Sequence, residues 1–243
     1  MNWYPRPVLV AMLTLALGHL PLQAQVVPGC GDLRESTGPY DYRTAPMETR
    51  ALVEKYHFTV RVEHLLGGQS GKIGADLDYT LRAFPNHHRA LISMVRFEER
   101  IKMPHVPGAR FPVECYFKRA LQFAPDDTVA RLLYARYLYR AKRGDEADRH
   151  VQYTIQEAGD NAFSHYNAGL VLAEHERYEL ALAQAHRAAA LGFDRPELRE
   201  MLVKAGQWRE PPPAAAASAA SAATANPASS AANPASAASG PTQ

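Results

Sequence analysis

Four groupings of residues in this chain have the types that chemistry requires. Residues 67–74 (GGQSGKIG) look like a phosphate-cradling loop, in which backbone N–H groups and a lysine hold an anion. The spacing fails, because three residues rather than four separate Gly67 from Gly71, and Ile73 stands where a magnesium-binding hydroxyl belongs. No core strand precedes the segment, so it reads as an inter-helix loop. His57/His64 and His87-His88 are the groupings suited to a metal. Adjacent side chains on a helix diverge by about 100°, which keeps His87 and His88 from chelating one ion. No HExxH is present, and Glu174-His175-Glu176 lacks a second histidine one turn on. His87 and His88 read as a helix start. The paired acids Asp76/Asp78, Glu98/Glu99 and Asp126/Asp127 read as helix caps or solvated faces. There is no Gly-x-Ser-x-Gly elbow and no free cysteine poised beside a histidine. The sequence therefore reads as a non-enzyme with neither cofactor nor metal.

Recognition must then come from a surface, and the elements able to hold one show in the periodicity. Ala120, Thr154 and Ala188 stand 34 residues apart, as do Phe117, Val151 and Ala185, and Leu121, Ile155 and Ala189. Small residues keep the same step, from Ala135 to Gly169 and from Ala147 to Ala181. Two helical segments in each 34-residue unit predict a stack of helix pairs. Residues 165–192 (HYNAGLVLAEHERYELALAQAHRAAALG) place an Asn before a small-residue slot, a Tyr just before the second helix, and Ala along it. On these residues the chain resembles a tetratricopeptide repeat (TPR) protein. The resemblance implies an all-α fold, a TPR-like helical repeat (α-α superhelix), and binding rather than catalysis.

In such repeats one face of each first helix lines a concave wall. Carried over by register, that wall takes Arg89, Ile92 and Arg96 from the first clear unit. The second supplies Val129, Leu132, Arg136, Tyr139 and Arg140, and the third Phe163, Tyr166, Leu170 and Glu174. Arginines with aromatics between them suit a short peptide carrying carboxylates, the guanidinium forking onto the acid. The implied partner is an unidentified protein or peptide, with an acidic glycan as the alternative. The Lys/Asn pairs of chaperone-tail-binding members of the family are missing; Leu132 and Arg136 stand where one such pair would be. A rival occupant of the hollow is the chain's own N-terminal arm, through Tyr40 and Tyr42.

The rest of the chain fits around this body. Residues 1–24 read as a secretory signal: Arg6, an apolar run over 8–17, and Leu-Gln-Ala at 22–24. The run is shorter than the ~20 residues a membrane span needs. Residues 25–48 form an irregular N-terminal arm, and 49–210 the repeat domain, with clear repeats at about 86–127, 128–161 and 162–195 and a capping helix at 196–208. Thr59 is the expected N-cap of a short helix, and six extra residues of the first unit fall in 101–112. Residues 211–243, almost wholly Pro, Ala and Ser, are expected to be a disordered tail. Without the signal's one Arg, 27 Lys+Arg become 26 against 25 acids, a balance that gives no pull toward nucleic acid. Cys30 and Cys115 in an exported chain suit a disulfide from the arm to the first repeat. Acylation at Cys30 is the rival, disfavoured by Pro28 and by the distance from the apolar run. The expected location is periplasmic or secreted.

Overall fold

The computed structural model describes residues 29–34, 38–69 and 71–211; the expected signal and residues 212–243 of the expected tail lie outside them. The described residues hold ten helices and no strand: α1 (Met47–His57), α2 (Val60–Glu63), α3 (Ile73–Ala83), α4 (His88–Ile101), α5 (Val113–Phe123), α6 (Thr128–Arg140), α7 (Gly144–Ala158), α8 (Ala162–Glu174), α9 (Tyr178–Ala190) and α10 (Pro196–Lys204).

Local signals start and stop these helices at matching places. His87, Asp127 and Asn161 each accept the N–H of the residue three further on (Ala90, Ala130, Ser164), satisfying one orphan donor of α4, α6 and α8. Lys102, Lys142 and Glu176 adopt left-handed backbone with φ of 55°, 62° and 61°, each reversing the chain after a first helix. Pro112 at an N-cap and Pro196 in the first turn open α5 and α10 where a missing N–H costs nothing. Thr59 departs from expectation. It precedes α2 in extended conformation, but its side chain makes no capping bond and its buried hydroxyl has no partner among the described residues.

Helices pair in chain order, α4 with α5, α6 with α7 and α8 with α9, while α4, α6 and α8 lie side by side. Residues one step apart are buried alike: Phe117 and Val151 on α5 and α7, then Ala120, Thr154 and Ala188 on α5, α7 and α9. α10 closes one end against α8 and α9, burying Leu198 and Leu202. At the other end α1 and α3 pack on one another, and α3 on α4. The extra residues of the first unit form the α4–α5 loop, pinned by fully buried Val106 and by the Val113 N–H on Pro104 O (2.9 Å).

Gly169 shows why the small slot recurs. A Cβ there would meet Leu198 Cδ2 at 2.5 Å and Gln184 Cβ at 3.3 Å. Gly169→Leu is therefore expected to push α8 off α9 and α10 and to destabilise by ~1–3 kcal/mol, the usual cost of overpacking. An unchanged melting curve would contradict this packing.

The arm lies on the body, away from the inner wall. Tyr40 donates its N–H to Ala83 O (2.8 Å) and Tyr42 to Asn86 Oδ1 (2.9 Å). Asn86, fully buried, donates in turn to Asp41 and Asp127 (both 2.8 Å). Tyr40 and Tyr42 pack on Phe84, and Tyr42 on His87, so neither tyrosine fills the hollow. Cys30 is disulfide-bonded to Cys115 on α5. Beside it, fully buried Arg119 donates to Cys30 O (3.0 Å) and Asp32 O (2.8 Å) and lies over the Phe111 ring. Gly31 permits that approach, since a Cβ would come 2.7 Å from Phe111 Cζ.

One pair of acids corrects the sequence reading. Asp76 and Asp78 are buried, not solvated. Asp76 receives the Gln69 N–H (2.7 Å) and lies 3.1 Å from His57 Nδ1. Asp78 receives the Tyr116 hydroxyl (2.5 Å), Arg82 Nε (2.8 Å) and the Arg110 N–H (3.2 Å). Buried carboxylates persist when so partnered, and these tie α3 to its neighbours.

Candidate functional site

The first helices α4, α6 and α8 present one stripe each to a common groove. On α6 the stripe is Val129, Leu133, Arg136 and Arg140; on α8 it is Phe163, Asn167, Leu170 and Glu174. Every member of the second set lies 34 residues beyond its counterpart in the first. Ile92, Val95, Arg96 and Glu99 extend the wall onto α4, with Phe117 of α5 beneath. Two adjoining hollows of about 180 and 200 Å³ share Leu133 and Arg136, so the groove is continuous across three helices.

Its floor is apolar and its rim charged, but the charges are largely spent on each other. Arg136 Nε lies 2.8 Å from Glu174, and Arg140 2.7 Å from Glu99, each pair joining neighbouring first helices. Both pairs are half exposed, where such bridges contribute little to stability, ~0–1 kcal/mol each. Burial pushes the Glu174 carboxyl up, with Arg136 and Arg140 opposing the shift. Arg96, exposed on the groove wall, has no ion-pair partner among the described residues.

Of the residues expected on the wall, Ile92, Arg96, Val129, Leu132, Arg136, Arg140, Phe163, Leu170 and Glu174 line the two hollows. Three do not. Arg89 turns to α2, where it forms a bidentate pair with Glu63 and lies over Phe58. Tyr139 is buried, its hydroxyl bonded to Asp148 of α7 and its ring stacked on His175. Tyr166 is buried against Phe193, with its hydroxyl on Glu197 of α10 (2.8 Å). In both tyrosines burial and then the adjacent carboxylate raise the phenol, Tyr166 to about 12, so each stays a neutral donor. The residues missed, Val95, Glu99, Phe117, Leu133, Asn167 and Val171, mostly stand three or four positions from those chosen, which is the spacing of a single helix face.

No metal-holding group of His, Cys, Asp or Glu forms among the described residues, and none of their helices is long and apolar enough to cross a membrane. No family model matches the chain, and neither the curated proteins nor the solved structures give a significant match.

Proposed function

We propose that the chain is an exported TPR-like adaptor of the bacterial cell envelope, whose groove on α4, α6 and α8 receives an extended segment of another protein. The observation that carries this reading is the continuous groove itself, with apolar side chains below and paired charges at the rim. The 34-residue recurrence of its lining residues supports the TPR-like arrangement, and the disulfide suits an oxidising compartment. A fitting ligand lays apolar side chains along Leu133, Phe163, Leu170 and Val171 and offers one carboxylate to Arg96. Arg136 and Arg140 already have acids, so the rim holds little net positive charge, which counts against an acidic glycan.

The test is a photo-crosslinking amino acid placed at Leu170 in the native envelope. A discrete crosslinked protein is expected, and Leu133→Asp, which sets a charge on the groove floor, should weaken its binding about tenfold or more, with helical circular dichroism retained. Recovery of polysaccharide alone, or crosslinks indifferent to Leu133→Asp, would refute the peptide groove.

A further inference from the structure

The outer side of α1 is unpartnered. Met47, Glu48, Ala51, Leu52, Lys55 and Tyr56 are all exposed. At about 100° per residue they cover one half of the helix surface, with Glu48 and Lys55 in its middle and Met47 and Tyr56 at its two edges. Met47, Leu52 and Tyr56 are 71%, 60% and 50% exposed, whereas the opposite end of the stack is covered by α10. Neither Glu48 nor Lys55 has an ion-pair partner among the described residues; Lys55 rests over the Tyr56 ring, 5.2 Å from its centre.

The order of the stripe is self-complementary. A two-fold axis midway between Ala51 and Leu52 sets an antiparallel second copy so that 47 is level with 56, 51 with 52, and 48 with 55, the last pair facing each other. Glu48 then meets Lys55 of the second copy in the middle of the face, and Ala51 and Leu52 lie between these pairs, where the small Ala51 side chain lets the helices approach. We propose that α1 is the interface of a homodimer built on this antiparallel crossing. The charges argue for a second copy over an unrelated protein, because one operation satisfies both Glu48 and Lys55 in each chain. A cleft of about 560 Å³ flanks the stripe, lined by Tyr40, Leu52, Tyr56 and Tyr79 among others. Six residues a side is small beside the ~20–30 of a standard interface, so the dimer is a weak one that dissociates on dilution.

Sedimentation equilibrium of the full chain over a concentration series tests the proposal. A concentration-dependent monomer–dimer equilibrium is expected. Glu48→Lys or Lys55→Glu alone turns both contacts repulsive and should weaken it roughly tenfold or more. Mixing the two variants restores complementarity at both sites, and the heterodimer should form with wild-type affinity. That rescue does not arise from misfolding. A chain that stays monomeric throughout, a dimer indifferent to either reversal, a mixture that fails to recover, or α1 crosslinking only to another protein or to its own tail would each overturn the proposal.

Discussion

Replacing Cys30 and Cys115 together by serine is expected to lower stability by about 4–5 kcal/mol. The bridged residues are 85 apart, and in the chain-entropy model closing a loop of that length in the unfolded state accounts for a figure of that size. The loop runs from the arm through α1 to α4 and into α5, so the crosslink holds the whole N-terminal end. Domains of this kind are stable by only ~5–15 kcal/mol in total, so the loss is large. It also falls on a second group: buried Arg119 uses the arm's Cys30 and Asp32 carbonyls as acceptors, and an arm that lifts away withdraws them. The double serine variant and Arg119→Met should therefore be non-additive, each taking part of what the other takes. Urea unfolding followed by circular dichroism, with and without reductant on the parent chain, measures both. A shift below ~1 kcal/mol would mean that the arm's polar contacts hold it without the bridge.

Much of the architecture is legible in the sequence because it rests on local signals. Asp127 and Asn161 before their helices, Pro112 and Pro196 at helix starts, and the 34-residue return of small residues each act within a few positions or at a fixed step. The Cys30–Cys115 pairing is legible because the sequence holds only two cysteines. The groove is less legible. Register carried over a repeat places the first helices, yet it does not say which of two adjacent flanks faces inward. Tyr139 and Tyr166 have the look of ligand-binding aromatics. Their hydroxyls are taken by Asp148 and Glu197, on the following helix and on the cap. Nor does a list of arginines reveal its own neutralisation: Glu99 and Glu174 lie 41 and 38 residues from Arg140 and Arg136 and meet them only through stacking. Asp76 and Asp78 mislead for the same reason. An acid pair near a helix start resembles a cap until Gln69, Tyr116 and Arg110 close over it from other elements.

Acid lability centred on His87 is the other large effect. The ring is fully buried between Tyr42 and Phe58, with centroids 4.0 and 4.6 Å away. Its Nδ1 accepts the Ala90 N–H, so the proton sits on Nε2, which donates to Glu54 (3.1 Å). A second proton would have to displace the capping bond and bring charge into the core. Burial accordingly pushes the imidazole down to about 4, against the pull of Glu54 and with some help from Arg89. The unfolded chain titrates near 6.5. Between those values the unfolded state takes up a proton that the folded state refuses. The contribution is full above pH ~6.5, falls as pH drops toward ~4, and reaches on the order of 3 kcal/mol. His150 and His175, also lowered by burial and by nearby arginines, act in the same direction. Glu114, held down to about 2 by Arg143, Lys118 and Tyr134 against its burial, loses its contribution only at lower pH. His87→Asn separates the terms, since asparagine still caps α4 but does not titrate. The variant should be less stable at pH 7, having lost ring packing, and show a distinctly shallower fall between pH 6.5 and 4. Parallel pH profiles for the two chains would place the acid-sensitive group elsewhere.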